Sequence, residues 1–157
     1  MPARLFLVVM VLILVLSATM RARDENINPV NHALTEGECS ACHLAFPAAM
    51  LPSTSWTRLM SSLESHFGED ASLDEESITA ITDYLNSSSA DSSWTGNRFS
   101  RGQTNDWPIR ITETDHWLRE HRNLSFNDAS NSEDIIRSNC VACHGNAVNG
   151  DFRVDDA

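Results

Sequence analysis

The sequence contains no lysine, and its 11 basic residues are all arginines spread among 22 acidic residues. The formal net charge of the 157-residue chain at pH 7 is −11. Nucleic-acid binding requires a cluster of positive charge that neutralises phosphates, and the sequence has no such cluster. The composition therefore argues against a nucleic-acid partner and favours contact with a basic protein surface.

The sequence also lacks a hydrophobic run of the usual membrane-spanning length. Its longest apolar run, residues 5–16, has 12 residues, whereas a spanning helix needs about 20. Arg4 precedes this run and small residues follow it, which is typical of an export signal. We expect residues 1–22 to be a cleaved signal peptide or an uncleaved N-terminal anchor. Without them the chain has nine arginines and 22 acids, a formal charge of −13.

No stretch alternates between polar and apolar residues over a useful strand length, so the sequence does not predict a sheet. Apolar residues instead recur at helical spacing, which predicts a mainly α fold of short helices and long loops. We expect Ser55, Ser72 and either Thr112 or Thr114 to begin helices as N-caps. The predicted apolar stripes contain Trp56, Leu59, Met60, Leu63 and Phe67, then Ile78, Ile81, Tyr84 and Leu85, and finally Trp117, Leu118 and His121.

Cysteine is scarce, and all four cysteines fall in two copies of a C-x-x-C-H motif, at residues 39–43 and 140–144. This spacing is typical of covalent c-type haem attachment, in which two thiols add to the haem vinyl groups and the adjacent histidine binds the iron. Two disulfides or a zinc site could also use four cysteines, but neither explains a histidine after both pairs. We therefore predict two haem c groups. The predicted attachment residues are Cys39, Cys42, Cys140 and Cys143, and the predicted proximal ligands are His43 and His144.

Four further histidines are candidates for the remaining position on each iron. His66 lies at the end of an apolar helical stripe, and His121 lies on the face of a short predicted helix. These two are the preferred candidates for the sixth ligands. His116, which points away from that face, and His32, which lies in a predicted loop, remain alternatives, as does Met60 on an apolar stripe. A methionine ligand would raise the reduction potential.

The chain resembles the small dihaem cytochrome c family of exported bacterial electron carriers. The resemblance covers about residues 30–153 and extends beyond the haem motifs. It includes Glu-Cys-Ser-Ala-Cys-His-Leu-Ala-Phe-Pro at 38–47, Ile-Thr-Glu-Thr at 111–114 and Asn-Cys-Val-Ala-Cys-His at 139–144. The most distinctive stretch is His-Phe-Gly-Glu-Asp-Ala-Ser-Leu at 66–73.

This resemblance implies bis-histidine ligation at both haems, with His66 and His121 as the distal ligands. Closeness in sequence assigns His66 to the first haem and His121 to the second. The resemblance also implies electron exchange with a monohaem cytochrome c or a membrane b-type cytochrome. The sequence departs from the family at His116, where an apolar or aromatic residue is more usual.

We expect residues 23–90 to form a first haem lobe, residues 91–108 a linker or surface loop, and residues 109–157 a second haem lobe. Two six-coordinate irons leave no position for a substrate, so we expect a periplasmic or membrane-associated electron-transfer protein and not an enzyme. One alternative is a haem subunit of a membrane oxidase complex. Another is a small haem enzyme or gas-binding protein with one displaceable ligand.

Overall fold

The computed structural model describes residues 27–92, 98–100, 103, 107–123 and 137–153. The predicted signal segment, residues 1–22, and parts of the predicted linker lie outside these ranges. The described residues form helices joined by loops, with no β-strand and an isolated bridge between His66 and Glu69. The predicted mainly α fold of short helices and long loops is confirmed. None of the helices in these ranges has the length and apolar character needed to cross a membrane.

Four α-helices lie wholly within the described ranges: α1 at Ala33–Cys39, α2 at Ser53–Met60, α3 at Glu75–Ser87 and α4 at Asp115–Glu120. Short 3₁₀-helices lie between and after them, at Ala48–Met50, Leu63–Ser65, Arg98–Ser100, Ile111–Glu113, Cys140–Ala142 and Ala147–Asn149. The longest element within the described ranges, α3, has 13 residues. Helices this short gain most of their stability from packing rather than from intrinsic propensity.

Helix α4 begins at one of its two predicted N-caps. The hydroxyl oxygen of Thr114 accepts a hydrogen bond of 3.2 Å from the backbone N–H of Trp117, so Thr114 is the N-cap. Helix α3 begins two residues later than predicted, because the Asp74 carboxylate accepts the hydrogen bond of 2.9 Å from the N–H of Ser77. Ser72 instead donates its hydroxyl hydrogen to Asp70, at 2.6 Å. The prediction of Ser72 as the cap is therefore wrong.

The predicted cap at Ser55 is also wrong, and the reason is a tertiary contact. Helix α2 begins at Ser53 after Pro52, whose missing N–H suits a helix start. Ser55 lies inside the helix, fully buried, and its hydroxyl donates to the carbonyl oxygen of Pro108 at 2.9 Å. This bond ties α2 to the segment that precedes α4.

Helices α2 and α3 pack together around the main apolar core. Met60 is 5% exposed within this core, as its place on an apolar stripe predicts. The Trp56 indole is also buried and donates its N–H to the carbonyl oxygen of Ala48 at 2.7 Å. Phe67 does not continue the stripe, because α2 ends at Met60 and Phe67 is 40% exposed. The core consists of Ala48, Leu51, Trp56, Met60, Leu63, Ile81 and Leu85.

A second apolar cluster joins segments that are far apart in sequence. Ile27, Met50 and Phe99 are buried together, with Phe152 packed against them. The N–H of Ile27 donates to the carbonyl oxygen of Gly150 at 2.8 Å. The segment before the first motif therefore contacts the segment after the second motif. The division into lobes at residues 23–90 and 109–157 stays a prediction.

Candidate haem-binding sites

The four cysteine thiols are free, which gives no support to the two-disulfide alternative. Burial raises the pKa of Cys39, and the charge of Glu38 raises it further. Burial also raises the pKa of Cys140, to about 11. In the described part of the chain, no three side chains of the types that bind metals form a cluster. A zinc site built from both cysteine pairs therefore has no support.

Helix α1 and the turn after it present the first motif. The helix ends at Cys39, and the N–H of Ser40 donates to the carbonyl oxygen of Glu36 at 3.0 Å. Cys42 is exposed and His43 is half-buried. The Nδ1 atom of His43 lies 2.7 Å from the carbonyl oxygen of Leu44. Because a carbonyl only accepts, Nδ1 carries the proton and Nε2 is left with the lone pair that binds a metal.

His66 lies across from His43. Their ring centroids are 6.0 Å apart, and the ring planes differ by 22°. A tight turn after the Leu63–Ser65 helix presents His66: Phe67 and Gly68 have left-handed φ angles of 53° and 105°. Burial lowers the pKa of His66, and the nearby His43 and Arg110 lower it further.

The second motif forms a short 3₁₀-helix, Cys140–Ala142, followed by His144. The backbone N–H of His144 donates to the carbonyl oxygen of Cys140 at 2.8 Å, which holds the histidine next to the cysteine pair. The His144 Nδ1 atom is buried and has no hydrogen-bond partner among the described residues. The Phe152 ring lies 5.7 Å from the His144 ring, tilted by 60°.

His121 lies across from His144, with ring centroids 6.2 Å apart and ring planes at 82°. It follows the last residue of α4, and both its backbone N–H and its Nδ1 donate to the carbonyl oxygen of Trp117, at 3.0 and 2.9 Å. Its ring stacks on the Trp117 indole. Burial lowers the pKa of His121 most strongly, while the Trp117 carbonyl partly opposes this effect. Leu118, predicted on the same face, is 48% exposed instead.

The spacing of both ring pairs fits two imidazoles on opposite sides of one iron. An imidazole nitrogen lies about 2.0 Å from a bound metal and about 1.1 Å from its own ring centre, so two opposed ligands have centroids about 6.2 Å apart. The observed separations are 6.0 and 6.2 Å. Rings in direct contact lie closer, as the 4.3 Å between Trp117 and His121 shows. The residues present therefore fit two axially ligated haems.

The two other candidate histidines contact different groups. His32 stacks on Tyr84, with centroids 4.8 Å apart, and lies 2.8 Å from the hydroxyl oxygen of Thr35. His116 lies 4.4 Å from the Phe99 ring and accepts a hydrogen bond of 3.0 Å from Arg119.

Aromatic and charged groups that the sequence did not predict surround the candidate ligands. Phe46 stacks on His43, with centroids 5.1 Å apart and planes at 25°. An aromatic residue three positions after the motif histidine could have suggested this contact. The Arg110 guanidinium lies 4.0 Å from the centre of the Phe67 ring, beside His66. No sequence signal points to this pairing, because 43 residues separate the two positions.

Comparison with known proteins also indicates a cytochrome c with two haems. Residues 35–152 match the family model described as dihaem cytochrome c. The chain is 46% identical to a solved diheme cytochrome c from Rhodobacter sphaeroides, with a TM-score of 0.68, and the match covers 80% of this chain and 100% of that one. It is 30% identical to a diheme cytochrome type c from Shewanella baltica OS155, with a TM-score of 0.60 and coverage of 77% and 86%. No curated protein matches the chain.

A fold of short helices, two haem motifs and a family match over most of the chain agree with one another. The chain belongs to the dihaem cytochrome c family, and it is a c-type cytochrome that carries two haems.

Proposed function

We propose that this cytochrome is a bis-histidine electron carrier. His43 and His66 would bind the iron of the first haem, and His144 and His121 would bind that of the second. The observation that carries the proposal is the separation of the two ring pairs, 6.0 and 6.2 Å, which matches imidazoles opposed across an iron. Cys39 and Cys42 attach the first haem through thioether bonds, and Cys140 and Cys143 attach the second.

Haem, when bound, supplies reversible one-electron Fe(III)/Fe(II) chemistry. The residues of this chain hold the axial imidazoles and set their electronic character. The Leu44 and Trp117 carbonyls accept the Nδ1 protons of His43 and His121. These bonds fix the tautomer and make each imidazole a stronger donor, which favours a low potential. Two histidines bound to each iron would leave no position for a substrate, so the protein transfers electrons and is not an enzyme.

The cellular setting follows from charge and from the export signal. Residues 1–22 direct export, and the protein works in a periplasmic or membrane-associated redox chain. Its redox partner is a monohaem cytochrome c or a membrane b-type cytochrome with a basic docking surface. The strongly negative chain supports this choice, and α3 contributes the exposed acids Glu75, Glu76 and Asp83.

Removing one distal histidine at a time tests the ligation. In His66→Ala and His121→Ala, one ferric iron becomes high-spin at neutral pH and, once reduced, binds carbon monoxide, while the other iron stays low-spin. His32→Ala and His116→Ala are matched controls, since each removes a histidine that lies in neither ring pair, and both retain two low-spin irons.

Electron paramagnetic resonance on oxidised protein and carbon monoxide titration of reduced protein report these changes. A His66→Ala or His121→Ala protein with two low-spin irons that bind no carbon monoxide would refute the ligand assignment. Carbon monoxide binding by the unmodified protein would refute the electron-carrier function and favour a gas-binding one.

A further inference from the structure

We propose that the two haems are electronically inequivalent because the chain holds their axial imidazoles at different angles, with Trp117 and Phe46 as the positioning residues. This inference rests on the proposed bis-histidine ligation. The two ring pairs are otherwise similar but differ in the angle between their planes. The His43 and His66 planes are nearly parallel, at 22°, whereas the His121 and His144 planes are nearly perpendicular, at 82°.

The angle matters because an imidazole interacts through its π system with only one of the two iron d orbitals that point above and below the haem plane. Parallel imidazoles act on the same orbital, so the two orbitals differ in energy and a low-spin ferric iron has three well-separated g values. Crossed imidazoles act on one orbital each, which leaves the two orbitals close in energy. The g tensor then becomes strongly anisotropic, with one very large value. Axial-ligand identity is the same at both haems, so orientation is what distinguishes them.

At the second site, the α4 helix holds the orientation of His121. Its Nδ1–H donates to the Trp117 carbonyl at 2.9 Å, and its ring lies 4.3 Å from the indole, with planes 11° apart. Rotation about the Cβ–Cγ bond would break the hydrogen bond and the stacking together. The backbone of His144 is held by its hydrogen bond to Cys140, and its ring packs against the tilted Phe152 ring. The two imidazoles therefore keep their crossed arrangement.

At the first site, the fixed partner is the motif histidine. The His43 Nδ1–H donates to the Leu44 carbonyl at 2.7 Å, and its ring stacks on Phe46 at 5.1 Å. His66 contacts Phe67 at 4.8 Å with a tilt of 58°, and the Arg110 guanidinium lies on the Phe67 ring. Each imidazole is thus supported by an aromatic residue from its own segment, and the two planes end nearly parallel.

Electron paramagnetic resonance of the oxidised, unmodified holoprotein tests the inequivalence directly. We expect two low-spin ferric species in equal amounts: one with three resolved g values and one with a single large, broad g value. In His121→Ala, the large-g signal is lost and a high-spin signal replaces it, which assigns the crossed pair to the second haem. In His66→Ala, the three-g signal is lost instead.

Substitutions of the aromatic supports test the positioning role. Trp117→Leu removes the stacking surface but keeps the backbone carbonyl, so the large-g signal moves towards the three-g type while the first haem is unchanged. Trp117→Phe retains an aromatic face and keeps the large-g signal. Phe46→Leu is the matched control for the other site and alters only the three-g signal.

The outcomes separate the two proposals. Two low-spin species of the same type in the unmodified protein would overturn the inequivalence and leave bis-histidine ligation intact. A high-spin iron in the unmodified protein would overturn the ligation itself. Identical spectra for the unmodified protein and Trp117→Leu would overturn the positioning role of Trp117. If Trp117→Leu fails to bind two haems, the unmodified spectrum and that of Trp117→Phe still decide the inference.

Discussion

Gly150 accepts a hydrogen bond of 2.8 Å from the N–H of Ile27, and its own backbone has a left-handed φ of 77°. The two residues are so close that a Cβ atom on residue 150 would overlap the Ile27 backbone carbonyl. This contact joins the segment before the first haem motif to the segment after the second. It depends on glycine for both conformation and space.

Gly150→Ala is therefore expected to destabilise the holoprotein by about 2–4 kcal/mol, since the positive φ and the backbone overlap both oppose a side chain. Thermal unfolding followed by haem absorbance measures the change. Gly37→Ala is the control, because Gly37 lies within α1 with open space around its Cα, and alanine there favours the helix by about 0.5–1 kcal/mol. Equal melting temperatures for Gly150→Ala and the unmodified protein would contradict this role.

Thr114→Ala should weaken the start of α4 and, with it, the support of His121. The Thr114 hydroxyl accepts the Trp117 N–H and donates to the carbonyl oxygen of Ile111 at 2.8 Å, and the residue is fully buried. Loss of such a cap costs about 1–2 kcal/mol. Denaturant unfolding gives the value. Thr112 caps no helix in the structure. The free energy of unfolding of Thr112→Ala should therefore lie within about 0.5 kcal/mol of that of the unmodified protein.

Asp74 makes the stability of α3 depend on pH. Hydrogen bonds from the Ser77 hydroxyl and N–H lower the pKa of Asp74 below its usual range. A carboxylate with a lower pKa in the folded state stabilises the fold above its unfolded pKa, and this contribution is lost as the pH falls through the folded pKa. The melting-temperature difference between the unmodified protein and Asp74→Asn should be positive near pH 6 and decline below about pH 4. A melting-temperature difference that stays constant with pH would contradict this role of Asp74.

Arg110 should raise the potential of the first haem, because its positive charge beside Phe67 and His66 favours the reduced iron. A unit charge about 10 Å from the iron, in a medium of effective dielectric constant about 60, contributes ~0.6 kcal/mol, or ~25 mV for a one-electron couple. Arg110→Gln should lower one potential by roughly that amount. Arg110→Lys keeps the positive charge, so its potential should equal that of the unmodified protein. A redox titration in which both potentials move equally would contradict a local effect.

Electron exchange with a basic monohaem cytochrome c should slow as salt concentration rises. The acidic chain attracts such a partner at long range, and salt screens this attraction. Between about 0.02 and 0.5 M salt we expect the second-order rate constant to fall roughly tenfold or more. Stopped-flow absorbance measures it. An acidic redox protein is the control, and its rate should rise with salt. A rate independent of salt with the basic partner would argue against electrostatic docking.

Features set by neighbours in sequence were predictable from the sequence. The two C-x-x-C-H motifs needed no fold to be recognised, because thioether attachment requires that spacing along the chain. The Ile81 and Leu85 stripe of α3 and the Thr114 cap of α4 also depend only on residues within about one helical turn. The predicted caps at Ser55 and Ser72 were wrong because α2 begins at Ser53 and because the Asp74 carboxylate caps α3. The Ser55 hydroxyl instead donates to the carbonyl oxygen of Pro108, 53 residues away, which no local pattern reveals.

The sequence alone therefore determined the kind of cofactor, its number and the histidine candidates, since these follow from residue types at fixed spacing. Only the tertiary structure decided which rings face each other and at what angle. His66 reaches His43 through the left-handed turn at Phe67 and Gly68, and His121 crosses His144 because Trp117 holds its ring. A ring plane depends on contacts from several segments at once, and sequence spacing carries no information about such contacts.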